Sequence, residues 1–199
     1  RNWKKHGPVF ESFDKGKFNN IWSKSGSLVT EFKDGRLIAK KVNGKYLMYW
    51  GELFVNLAQS ETGLDWEPYL DHEGELLHVF KPTIGEFDSH LTEPGPPALY
   101  TKHGILLLYN GKNLSGEGAS QKVPEGTYCG GQALFDLKDP SRLVKRLEEP
   151  FICPSLPHET TGQYKAGTTF IEGLVYYKKN WILYYGTADS MVGVAIKSE

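Results

Sequence analysis

Tyr46-Leu-Met-Tyr-Trp-Gly51 returns in altered form as Ile105-Leu-Leu-Leu-Tyr-Asn-Gly111 and again as Trp181-Ile-Leu-Tyr-Tyr-Gly186. Each copy is an apolar run closed by an aromatic residue or Asn and then Gly, and the glycines stand 60 and then 75 residues apart. Those separations exceed common solenoid periods but suit a four-stranded sheet with its loops, the blade of a β-propeller. The residues just after each glycine are not repeated: Glu52, Lys112, and Thr187 with Asp189. A repeated scaffold with unrepeated polar residues at one place is how such a fold carries a site.

Around these phrases the chain reads as strands and turns with almost no helical periodicity. Ser27 to Lys33, Arg36 to Val42, Lys45 to Trp50 and Leu53 to Ser60 form a first set of four expected strands. They are broken by Asp34-Gly35, Asn43-Gly44 and Gly51, and the first two breaks are strong hairpin dipeptides. After a loop holding Trp66 and a polar turn at Asp71, His72 and Glu73, a second set covers Pro97 to Thr101, Gly104 to Asn110, Gly131 to Asp136 and Leu143 to Arg146. The third covers Thr168 to Ile171, Leu174 to Tyr177, Trp181 to Tyr185 and Val192 to Ile196. The expected fold is therefore all-β, with blades at about residues 22–70, 87–149 and 160–199.

Three blades make a poor ring, because propellers close with roughly four to eight, and an open arc leaves unpaired strand edges. Residues 1–21, whose Arg1 to Phe10 stretch carries Trp3 and Pro8, read as the rim of a preceding blade. The expectation is a C-terminal part of a larger propeller. The chain also lacks an initiator Met and a charged-then-apolar leader.

The 199 residues are 39% hydrophobic and 24% charged, enough for a real core. A net charge of −1 gives no basic footprint, so neither nucleic acid nor an acidic membrane surface is an expected partner. No stretch approaches the roughly 20 apolar residues of a spanning helix. Aromatics make up 13%, which fits either propeller core or stacking on sugar faces. Cys129 and Cys153 match no metal or redox spacing and read as two buried thiols, with pairing open in an oxidising compartment. His90, His103 and His158 show no metal-ligand spacing, so no metal, cofactor or catalytic histidine is expected.

Five phrases, taken in order, carry a resemblance: Trp22-Ser-Lys-Ser-Gly26, Gly44-Lys-Tyr-Leu-Met-Tyr-Trp-Gly-Glu52, Phe87-Asp-Ser-His-Leu-Thr-Glu-Pro-Gly-Pro-Pro97, Gly130-Gly-Gln-Ala-Leu-Phe-Asp-Leu-Lys-Asp-Pro140 and Tyr185-Gly-Thr-Ala-Asp-Ser190. The series resembles glycoside hydrolase family 130 over nearly the whole chain. The resemblance implies a five-bladed propeller with an axial funnel acting on β-mannosides. It also implies about two blades upstream of Arg1, with the catalytic acid an aspartate there.

The family holds phosphorylases and hydrolases, and particular residues separate them. Where the phosphorylases carry a His in a Tyr-His-Gly phrase, this chain has Tyr109-Asn110-Gly111. Where they carry Lys-Ile-Gly before Gly-Pro-Pro, it has Leu91-Thr-Glu-Pro94. A carboxylate in place of a cation repels phosphate and suits a water nucleophile. Inverting hydrolysis pairs a base that activates water with a general acid. Glu52 and Glu93, at strand ends of neighbouring blades, are the expected pair that activates and orients the water.

Asp189 matches the family's sugar-binding aspartate by resemblance. Asp88 and Ser89 are candidates for the same subsite, and so are Tyr109 and Asn110. Lys24 and Lys165 precede inner strands and are expected either to tune the carboxylates through salt bridges or to grip an anion. The expected reading is an inverting, exo-acting β-mannosidase, with β-1,2-linked mannose implied by the resemblance and the loop from Leu114 to Gly126 walling one end. Phosphorolysis and a non-catalytic carbohydrate-binding module are the alternatives, and a periplasmic or secreted bacterial setting is expected.

Overall fold

The computed structural model describes residues 2–198, so Arg1, the first residue of the expected rim, lies outside the described residues. Among the described residues fifteen strands follow in order. The first seven are β1 (Gly26–Lys33), β2 (Arg36–Ala39), β3 (Lys41–Val42), β4 (Lys45–Trp50), β5 (Val55–Ser60), β6 (Glu67–Pro68) and β7 (His78–Phe80). Next come β8 (Leu91–Pro94), β9 (Ala98–Thr101), β10 (Gly104–Lys112), β11 (Tyr128–Phe135) and β12 (Leu143–Arg146). The last three are β13 (Phe170–Tyr177), β14 (Asn180–Thr187) and β15 (Met191–Ser198). Two short 3-10 turns, Phe13–Gly16 and Pro157–Glu159, are the helical elements among the described residues. The chain is all-β and propeller-like.

Local chemistry explains the hairpins. Asp34 and Gly35 take φ of 50° and 74°, and Asn43 and Gly44 take 52° and 83°. Both pairs thus have the left-handed conformation that two-residue hairpins demand and that these residue types adopt at low cost. The turn between β13 and β14 obeys the same geometry with poorer residues, since Lys178 and Lys179 sit at φ of 49° and 65°.

The large sheet runs β12-β11-β10-β9-β1-β4-β5-β6, with β2, β3, β7 and β8 paired at its flanks. Its pairings are antiparallel except one, where Val29 to Glu31 of β1 run parallel to Ala98 to Tyr100 of β9 and join the first two strand sets. The third set is a separate sheet, β13-β14-β15. It holds three strands where four were expected: the stretches Thr168 to Ile171 and Leu174 to Tyr177 belong largely to one strand, bulged between Ile171 and Gly173. Leu91–Pro94, expected to be loop, is strand β8, because its backbone pairs with Tyr109 to Lys112 of β10.

Alternation places the core. Leu47 and Tyr49 of β4 pack with Val55 and Leu57 of β5 and with Ile105, Leu107 and Tyr109 of β10 in one buried cluster. On β10 the intervening Leu108 joins Ile171, Leu174, Leu183 and Tyr185, and so ties the two sheets together. From the opening segment, Phe10 and Phe18 bury against Trp50 and Trp66. Cys129 of β11 is bonded to Cys153, which corrects the expectation of two free thiols. The cause is local pairing: the Gly130 N–H donates to the Ile152 carbonyl beside them, and the two cysteine Cα atoms come to 4.5 Å. At the far edge, β15 pairs among the described residues with β14 alone, and Val192, Val194 and Ile196 are exposed.

Candidate active site

Glu93 is carried by β8, opposite Asn110 of β10. Its side chain is buried, and its Oε1 has no hydrogen-bond partner. Glu52 follows the end of β4 on a tightly bent loop. Gly51 sits at φ 125°, where a Cβ would collide with the Phe54 carbonyl, so glycine is required there. Leu53 takes φ 71°, a left-handed conformation that a branched residue adopts only under constraint. The constraint comes from β8, because the Leu53 carbonyl accepts from both the backbone N–H (3.2 Å) and the hydroxyl (3.1 Å) of Thr92. The strand that carries Glu93 therefore grips the loop that carries Glu52.

The two carboxyls interact. Burial first, and the charge of Glu52 second, push the Glu93 carboxyl up to about 7, against the opposing pull of Lys24 and the Ser25 hydroxyl. Lys24 Nζ lies 4.0 Å from Glu52 Oε1, and Trp22 Nε1 donates to Glu52 Oε2 at 2.6 Å. Glu93 opens into a cavity of about 580 Å³, whose wall includes Lys24, Tyr128, Tyr164, Glu172 and Asp189. Glu52 lines an adjoining cavity of about 370 Å³, and Tyr128 is common to both. Burial and the charges of Glu93, Glu52 and Asp189, with Tyr164 beside it, push the Tyr128 hydroxyl up to about 12. Acidic oxygen thus lines a cavity within the size range of small-molecule sites.

Asp189 reaches the wall from the turn after β14, where Ala188 and Asp189 both take left-handed backbone. Glu172 was not anticipated. The β13 bulge places it on the cavity wall, and Gly173 beside it is the signal that marks such a bulge in sequence. Tyr128, Tyr164 and Trp22 were likewise missed as site residues.

Four expected site residues serve the scaffold here and are absent from the cavity wall. Asp88 is fully buried, paired with Arg146 and accepting from the Tyr109 hydroxyl at 2.8 Å. Tyr109 is core for that reason. The Ser89 hydroxyl donates to Asn113 Oδ1 at 2.9 Å, inside the loop anchor. Asn110 stitches the sheets, donating to the Ile171 carbonyl (3.1 Å) and accepting from its N–H (2.7 Å). Lys165 is absent from the Glu93 cavity wall and lines a neighbouring cavity of about 440 Å³, with Lys112 and Glu125, that shares Tyr164 with it. No group of His, Cys, Asp and Glu with metal-binding geometry occurs among the described residues.

With the acidic cavity in place, a family comparison becomes decisive: a family 130 model, described as beta-1,4-mannooligosaccharide phosphorylase, matches residues 1–199. The chain belongs to glycoside hydrolase family 130. This family 130 chain is 29% identical over 179 residues to the 1,2-beta-oligomannan phosphorylase of Thermoanaerobacter sp. (strain X514), covering 88% of the chain and 54% of the relative. It is 28% identical over 181 residues to the beta-1,2-mannobiose phosphorylase of Listeria innocua, covering 90% of the chain and 48% of the relative. Among solved structures, a putative glycoside hydrolase from Parabacteroides distasonis is 54% identical with a TM-score of 0.96, over 100% of this chain and 57% of that one. Another, 52% identical with a TM-score of 0.95, over 99% of this chain and 55% of that one, is described as showing that the family of mannoside phosphorylases contains glycoside hydrolases that target beta-1,2 mannosidic linkages in Candida mannan. The chain spans about half the length of the curated relatives it matches.

Proposed function

We propose that the whole protein hydrolyses β-mannosides, with β-1,2-linked mannose as substrate, at an axial funnel of a five-bladed propeller to which this chain contributes about three blades. The observation that carries the reading is Glu93: a buried carboxyl held up to about 7 beside Glu52, on the wall of a cavity of about 580 Å³. Water held on the cavity side of the Glu93 carboxylate loses its proton to Glu93 as it attacks the anomeric carbon. The glycosidic oxygen leaves from the opposite face, protonated by an acid outside this chain, and the configuration inverts. Asp189 and Glu172 accept hydrogen bonds from sugar hydroxyls, and Tyr128 and Tyr164 supply an aromatic wall. The loop 114–126, pinned by Asn113 bonds to Ser120 and Val123 carbonyls, stands beside Tyr164 and supports removal of terminal units. The Cys129–Cys153 bond supports an oxidising, extracytoplasmic setting.

Phosphorolysis is the second reading, and the named activities of the curated relatives favour it. Among the described residues, Lys24 is the one Lys or Arg on the Glu93 cavity wall, set among three carboxylates, and that wall favours water over an anion, while Lys112 lines the adjoining Glu52 cavity. Full-length protein incubated with β-1,2-mannobiose, with and without inorganic phosphate, decides between them. Mannose release independent of phosphate is the expected result, and phosphate-dependent mannose 1-phosphate would establish the second reading.

A further inference from the structure

Trp22 stands out against its surroundings: it is 78% exposed, yet its indole N–H is fixed at 2.6 Å from Glu52 Oε2. An indole has only a proton to give, so that oxygen must accept. The other Glu52 oxygen faces Lys24 Nζ at 4.0 Å. The backbone behind Glu52 is already fixed, through the Leu53 carbonyl and Thr92 of β8. Glu52 is thus held at its base by the strand that carries Glu93 and at its tip by Trp22. Glu93, by contrast, keeps a free oxygen.

We propose that Trp22 is the positioning residue of this site: its N–H locks the Glu52 carboxylate in one orientation, which orders the nucleophile and leaves Glu93 as the group that takes its proton. The role is exerted through Glu52, and it rests on the functional reading above. Phe preserves the ring face and removes the donor. His restores a donor, because imidazole Nε2 occupies the same ring position relative to Cβ as indole Nε1.

The test uses full-length protein with Trp22→Phe and Trp22→His, measuring kcat and KM on β-1,2-mannobiose beside the melting temperature. Trp22→Phe should lower kcat about 10- to 100-fold, the cost of a misaligned reacting group, with KM changed less than about threefold and the melting temperature unmoved. Trp22→His should recover most of the loss. Wild-type kcat in Trp22→Phe, a His variant as slow as Phe, or a rise in KM alone would each overturn the proposal. A wild-type protein inactive on mannobiose would count against the functional reading only. The indole N–H proton resonance of Trp22 then judges the contact: it should shift on Glu52→Ala, and an unmoved resonance would overturn the proposal independently.

Discussion

Glu93 is the residue at which stability and chemistry pull against each other. Its carboxyl is raised from 4.5 to about 7, chiefly by burial. Between those pH values the folded protein keeps a proton that the unfolded chain has released, so stability is highest at the acid end and falls as pH rises, by at most about 3 kcal/mol. Denaturant titrations across pH 4.5 to 8 should show that fall in the difference between wild type and Glu93→Gln, since groups such as His78, lowered by burial, titrate in both proteins. Activity should run the other way: a base must be ionised, so kcat/KM should climb to a plateau above about pH 7. In Glu93→Gln, turnover should vanish with the fold intact, as checked by mannose release and circular dichroism.

At the same scale, Glu52, Glu93 and Asp189, which the structure sets on the walls of two cavities sharing Tyr128, stood out in sequence because each sits beside a Gly- or Pro-rich break where a strand ends. Asp88 was misread because nothing local reveals its partner, Arg146, 58 residues away. Cutting that buried pair by Arg146→Ala should cost about 3–5 kcal/mol in chemical denaturation, since a charge is left buried and alone.

Turns that carry the usual residues were read from sequence, although the single strand expected between two of them, Arg36 to Val42, divides into β2, paired with β1, and β3, paired with β4. Asp34-Gly35 and Asn43-Gly44 announced their hairpins, and Leu143–Arg146 appears as expected. Elements defined by a distant partner were not: β8 exists through β10, and β6 and β7 through β5. The β13–β14 hairpin shows what a strand pair does with unsuitable turn residues, and it offers a clean element-level experiment. Replacing Lys178 and Lys179 by Asn and Gly should stabilise the protein by about 1 kcal/mol, read as a higher denaturation midpoint with activity unchanged.

Across the whole molecule, the Cys129–Cys153 bond closes a 24-residue separation between β11 and the segment that leads to the third sheet. Spacing alone could not show it, because the pairing depends on the Gly130–Ile152 bridge. Reduction, or Cys129→Ala with Cys153→Ala, should cost about 3 kcal/mol by the loop-entropy estimate, measured by thermal melts with and without reductant. The propeller-like class was visible in the three glycine-ended runs. The division into one large and one small sheet was not, because the parallel β1–β9 seam lies between segments that no short-range signal connects.

The free flank of β15 has a practical side. Val192, Val194 and Ile196 line up on a strand with a vacant row of backbone donors and acceptors, so any form of the polypeptide that leaves that flank uncovered will be prone to self-association and loss from solution. A single Val194→Lys change puts a charge in that row, and light scattering on concentrated samples should find the altered protein monodisperse where the parent clumps.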